Sequence, residues 1–189
     1  LVHSGSLKEE LPEALALEGD LGLFAVEAAC LRRDYRAALD LAESLCELEK
    51  PVSYTGFDRP VWDSGFSWID NRFLVSGGVR LELLQVFANL ARANLGESAV
   101  AVENIRKMIK DTRLSELDTS DAFSYWVYSH CLYLSGAESL DHGTVLSLAF
   151  KRFQRRSSRI DDLDIKRSFM GLHRWNAIMM QDAKKANLI

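Results

Sequence analysis

The stretch "DLGLFAVEAACLRRDYRAALDLAESLCELEKP", residues 20–51, decides the fold. Apolar residues fall at Leu21, Phe24, Ala25, Ala28 and Leu31, and again at Ala38, Leu41, Ala42, Leu45 and Leu48. Spacing of i, i+3, i+4, i+7 puts each set on one face of an α-helix. The pattern breaks near Arg33-Asp34 and stops before Pro51, whose ring disfavours helical backbone in the residue preceding it. The stretch therefore reads as a helical hairpin. A second follows in "RLELLQVFANLARANLGESAVAVENIRKMIKD", with Leu84, Phe87, Ala88 and Ala91 before a turn at Gly96, and Ala101, Ile105 and Met108 after it. Leu21, Phe24, Ala25, Ala28 and Ala38 each find the same residue type 63 positions later, at Leu84, Phe87, Ala88, Ala91 and Ala101.

An L-x-x-F-A-x-x-A face followed at a fixed interval by another small residue lets two antiparallel helices approach closely, with large residues filling the flanks. On these residues the chain resembles the tetratricopeptide repeat (TPR) family. Arg33-Asp34-Tyr35-Arg36-Ala37-Ala38 and Gly96-Glu97-Ser98-Ala99-Val100-Ala101 occupy the place of that family's Gly-Asp-Tyr-like turn, and Pro51 falls near its closing proline. The interval from small residue to Ala is one longer than the family's, and neither pair carries the family's Trp. A third, degenerate pair in "AFSYWVYSHCLYLSGAESLDHGTVLSLAFKRF" keeps Tyr125, Tyr128, Ser129 and a turn at Gly136, with Asp141 or His142 in the place of Ala. The closing helices also resemble those of some bacterial signalling proteins built from such repeats. The resemblance implies an all-α, TPR-like right-handed stack of helical hairpins (an α-solenoid). The expected layout is a single domain over 1–189, with repeats at about 20–51, 80–112 and 121–157, C-terminal helices at 163–187 and an aromatic-rich insertion at 52–78.

Composition agrees with a helical globular chain. Of 189 residues, 48% are hydrophobic and 26% charged, and only 3 prolines and 11 glycines argue against a loop-rich β fold. No apolar run reaches the ~18 residues needed to span a bilayer, and no leader pattern opens the chain. It begins on Leu1 rather than Met, as a fragment of a longer protein would. Cys30, Cys46 and Cys131, an odd number without metal-ligand spacing, read as buried free thiols of a reducing compartment, hence a cytoplasmic location. Net charge is −4, yet residues 1–50 carry 5 basic and 11 acidic groups whereas residues 151–189 carry 10 basic and 4 acidic.

The search for chemistry returns little. His3, His130, His142 and His173 are scattered, without a pair at helical metal-ligand spacing. His130 and Cys131 are adjacent on a helix and point about 100° apart, which is poor geometry for proton sharing. The glycines of "VSGGVR", from Val75, read as a hinge rather than a phosphate loop. No catalytic residue, metal ligand or cofactor site is therefore assigned. Lys151, Arg152, Arg155, Arg156 and Arg159 form two i, i+4 lines that read either as a phosphate or acidic-peptide contact or as a solvated helix end complementing its dipole. With an acidic net charge, nucleic acid is not the expected partner.

In the insertion, Tyr54, Phe57, Trp62, Phe66, Trp68 and Phe73 place six aromatics within twenty residues. Phe66, Ile69 and Phe73 have helical spacing and are expected to pack within a helix over 64–75. Tyr54, Phe57 and Trp62, around Pro60, are expected to be more exposed and to border a partner site. By the resemblance, the first helices of the repeats line a groove with Glu27, Arg32, Asn89, Arg92, Trp126 and His130 facing it. The expected function is a protein- or peptide-binding helical-repeat module without catalysis, serving as a scaffold in signalling. The alternative is a regulatory or sensor segment of a larger signalling protein or enzyme, with a ligand entering at the aromatic insertion; an all-α enzyme ranks third.

Overall fold

The computed structural model describes residues 20–48, 77–110, 121–137 and 139–189, and these are all-helical, without a strand among them. Eight helices follow in order: α1 (Asp20–Leu31), α2 (Tyr35–Leu48), α3 (Gly77–Asn94), α4 (Ser98–Lys110), α5 (Asp121–Leu134), α6 (Ser139–Ser157), α7 (Leu163–Gly171) and α8 (Arg174–Lys185). Residues 52–76 of the expected insertion, including Tyr54, Phe57 and Trp62, lie outside the described residues; its last two, Gly77 and Gly78, expected as a hinge, form the first turn of α3.

Three turns join α1 to α2, α3 to α4 and α5 to α6, and all three are hydrogen-bonded in the same way. Asp34, Glu97 and Ala137 donate their N–H back to the carbonyls of Ala29, Arg92 and Leu132, at 3.0, 2.9 and 3.2 Å. The preceding residues, Arg33, Gly96 and Gly136, donate to Cys30, Ala93 and Tyr133 and sit in the left-handed region, with φ of 64°, 95° and 73°. This six-to-one plus five-to-two pattern satisfies the last carbonyls of the first helix with a single residue of positive φ. Glycine accepts that conformation freely; in the first turn Arg33 adopts it against its Cβ. Asp34 then caps the next helix, accepting from the Ala37 N–H at 3.2 Å.

Each first helix packs on its second, and α1, α3 and α5 also pack side by side, as do α2 with α3 and α4 with α5. Helix α3 is thus central. Leu83, Leu84, Val86, Phe87, Ala88, Leu90, Ala91 and Ala93 are all buried along it, so it is apolar on nearly every face. The small residues expected at close crossings behave accordingly in three places: Ala38 and Ala101 are 0% exposed and Ala88 is buried. Ala25 is only half-buried. The buried face of α1 consists of Leu23, Val26, Ala29 and Cys30, while Leu21, expected inside, is 48% exposed. A helix as apolar all round as "DLGLFAVEAACL" has no single stripe, and tertiary packing chooses the face. In the third hairpin, where Ala is missing, the close approach falls at Ser129, whose buried hydroxyl donates to the carbonyl of His142 at 2.7 Å.

Two aromatic clusters tie down the C-terminal helices. Phe153 of α6 stacks on Phe169 of α7 at 5.5 Å, and Arg156 lies over the same Phe169 ring. Trp175 of α8 enters a group made by Phe87 of α3 with Phe123 and Trp126 of α5, with centroids 5.9, 5.2 and 5.7 Å away. Helix α8 therefore lies across the face formed by α1, α3 and α5, called the inner face below.

Candidate functional site

Helix α3 divides the sequence-predicted residues between two opposite sides. At 3.6 residues per turn, Phe87 and Asn89 point about 160° apart, whereas Gln85, Asn89 and Arg92 share a side. Phe87 looks to the inner face. Gln85, Asn89 and Arg92 look to a groove of about 780 Å³, lined also by Asp40, Glu43 and Glu47 of α2 and by Asn104, Lys107 and Met108 of α4. The groove exists because α2 and α4 both pack on α3 without packing closely on each other.

Its floor is a set of carboxamides. Asn89, 3% exposed, donates to the Gln85 carbonyl at 2.8 Å and contacts Met108 Sδ, and its side-chain oxygen accepts from Asn104 Nδ2 at 3.1 Å. These bonds fix the Asn89 amide and, through it, the orientation of Asn104. At the rim Arg92 pairs with Glu43 across the groove and lies 4.0 Å from Glu97, while Lys107 pairs with Glu103 at 3.7 Å. Carboxamides offer both a donor and an acceptor, the complement of an extended peptide backbone. The rim charges add polar selectivity.

The inner face carries the other predicted residues, and there the expectation of an open groove does not hold. Glu27 is buried and its carboxyl accepts from the indole N–H of Trp175 at 2.9 Å. Trp126 is buried too, donating its own N–H to Asp182 of α8 at 3.0 Å and stacking on His130 at 5.6 Å. His130 is half-buried, with Nε2 3.4 Å from Asn94 Nδ2; burial lowers its pKa below the usual 6.5, partly opposed by Asp182. Arg32, also expected to face a groove, is exposed in the turn after α1 and does not line the polar groove. The physical reason is that α8 supplies the apolar and polar partners that α1, α3 and α5 present.

Sequence reasoning missed Gln85, Asn104, Glu43 and Lys107 in the groove and Trp175 and Asp182 on the inner face. Two patterns carried the information. Gln85, Asn89 and Arg92 form an i, i+4, i+7 polar stripe in the largely apolar middle of α3, and Trp175, Met179, Asp182 and Ala183 form one face of α8.

Two of the three thiols are buried and held protonated. Burial, with the Glu27 carboxyl nearby, pushes Cys30 up to about 12, and burial does the same to Cys131, also to about 12. Cys46, at the groove, is half-buried, and none of the three is in a disulfide. Among the described residues no group of His, Cys, Asp or Glu is arranged to hold a metal ion, and no helix is long and apolar enough to cross a membrane. The basic line on α6 is partly used internally: Arg152 lies over the Tyr125 ring at 4.6 Å and Arg156 over Phe169, while Lys151 and Arg155 are exposed. Asp162, just beyond that line, caps α7 by accepting from the N–H groups of Asp164 and Ile165.

The described chain is thus an all-helical protein of paired helices, with a polar groove on one side of α3 and an aromatic, helix-filled face on the other. A family model named TP_0123_C, described as a C-terminal domain, matches residues 74–187, which take in α3 to α8. The chain belongs to this family. No curated protein and no solved structure matches it.

Proposed function

We propose that this is a TPR-like helical-repeat module, its hairpins stacked as an α-solenoid, which binds a protein or peptide partner and performs no catalysis of its own. The observation that carries the reading is the polar groove between α2 and α4. It is large enough for several residues of an extended chain, and its floor holds Asn89 and Asn104 in a fixed orientation by mutual hydrogen bonds. Rigid carboxamides at the base of an open groove bind main-chain N–H and C=O groups with little ordering cost, and the Arg92–Glu43 pair at the rim reads neighbouring charges. Three identically bonded turns and side-by-side first helices support the repeat reading. The groups with strongly shifted pKa, Cys30 and Cys131, are buried in the core and do not line the groove, which favours binding over chemistry. Three cysteines outside any disulfide suit a cytoplasmic setting.

Selection of binders from a random library of extended peptides tests this. Enriched peptides are expected to lose at least about tenfold in affinity, ~1.4 kcal/mol, when Asn104 and Gln85 are replaced by Ala, in a protein that keeps its helical circular dichroism spectrum. Enriched peptides indifferent to these substitutions, or no enrichment, would refute the assignment. Thermal stabilisation by a metabolite in place of a peptide, lost in the same variants, would move the reading to a sensor segment.

A further inference from the structure

Helix α8 is held differently from the others. Its backbone comes close to α6 and α7, whereas it meets α1, α3 and α5 chiefly through side chains, those of Trp175 and Asp182 foremost. Trp175, Met179 and Ala183 are its buried residues. Helix α7, which leads to it, buries none, and Leu172 between the two is 81% exposed. The three buried residues and Asp182 stand at i, i+4, i+8 and i+7, so one face of one short helix carries what the inner face touches. That face consists of an indole, a thioether one turn later, and a carboxylate beside a small residue two turns later.

The seat discriminates as well as packs. The Glu27 carboxyl accepts from the Trp175 N–H at 2.9 Å, and the Trp126 N–H donates to Asp182 at 3.0 Å. Each of these bonds specifies a chemical group and a direction, and the aromatic ring group between them supplies a pocket for an indole. Packing alone would be served by an apolar seam without the two polar receptors.

We propose that the inner face of α1, α3 and α5 is a helix-binding site that α8 fills as a tethered occupant, and that a partner helix with the same indole, apolar, acidic and small face binds there by displacing it. The tether keeps the internal copy at a high effective concentration, so a free helix competes poorly until the internal copy is weakened. This site is separate from the polar groove and does not depend on the reading given to that groove.

The test uses the full chain and a fluorescein-labelled synthetic peptide of residues 173–188. Asp182→Ala alters only the tethered occupant and leaves the receiving residues Glu27, Phe87, Phe123 and Trp126 intact. The Asp182→Ala chain is expected to bind the wild-type peptide at least about tenfold more tightly than the wild-type chain does, and a peptide with the Asp182→Ala change is expected to lose that gain. A folded Asp182→Ala chain that binds no peptide, or binds both peptides equally, would overturn the proposal and make α8 a permanent part of the core. Should Asp182→Ala fail to fold, a protease site inserted between Ser158 and Asp161 gives a second arm. After cleavage, labelled peptide 163–188 is expected to exchange into the cut protein; a cut chain that retains its own α7 and α8 without exchange would refute displacement.

Discussion

Replacing Trp175 by Phe tests how α8 is anchored. The variant keeps a six-membered ring beside Phe87, Phe123 and Trp126 but removes the N–H that donates to Glu27 at 2.9 Å. Losing one buried hydrogen bond to a carboxyl group costs about 1.5–3 kcal/mol. The missing pyrrole part of the indole, equivalent to about two methylenes at ~0.8 kcal/mol each, adds about 1.5 kcal/mol. Together the expected loss is about 3–4.5 kcal/mol. Glu27→Leu strands the indole N–H instead and carries its own desolvation cost of about 1–3 kcal/mol. The double variant removes both polar partners, so it is expected to be more stable than the sum of the single effects by about 1.5–3 kcal/mol. Urea unfolding of the four proteins followed by far-ultraviolet circular dichroism measures this, provided the slope with denaturant is common to all. Additivity within about 0.5 kcal/mol would show that the indole and carboxyl do not interact, and the docking of α8 against α1 would be wrong.

Arg33→Gly relieves a left-handed residue, a gain of about 1–2 kcal/mol, offset by about 0.5–1 kcal/mol of extra unfolded-state freedom; a net stabilisation of about 0.5–1 kcal/mol in the same assay is expected. Enlarging Ala38 or Ala101 to Leu overpacks a closed crossing and is expected to cost about 1–3 kcal/mol, whereas Ala25→Leu, at a half-buried site, is expected to cost less; equal melting of all three would contradict the packing. Thiol labelling of the native protein near neutral pH is expected to modify Cys46 while Cys30 and Cys131, both pushed up to about 12, react only after unfolding, as peptide mass mapping would show. Because the folded pKa of His130 lies below its unfolded value, the unfolded chain binds the proton more readily. The His130 contribution is therefore complete above pH ~6.5 and is lost as pH falls below it; His130→Gln is expected to flatten the stability profile in that window.

The helices and their pairing were legible in the chain because they rest on local chemistry. The 63-residue offset that matches Leu21 with Leu84 also matches Arg33 with Gly96, and these two residues occupy equivalent turns with the same hydrogen bonds. Amphipathic second helices such as "YRAALDLAESLCEL" display one apolar stripe, so Ala38, Ala42 and Leu45 could be placed in the core from spacing alone. First helices gave less guidance: Leu84, Phe87, Ala88 and Ala91 of α3 are buried as their spacing predicts, but Leu21 of α1 is not. In α1 and α3 apolar residues surround the axis, and whether Leu21 or Leu23 is buried depends on which neighbours arrive. The candidate residues divide in the same way. Glu27, Asn89, Arg92, Trp126 and His130 were singled out as polar or large residues in apolar helices, which is a local property. The groove was decided by α2 and α4 packing on α3, and the inner face was filled by α8, almost 150 residues from Glu27 along the chain. An indole–carboxyl bond over that separation leaves no periodic trace in the sequence, because its geometry is created only when the intervening helices pack.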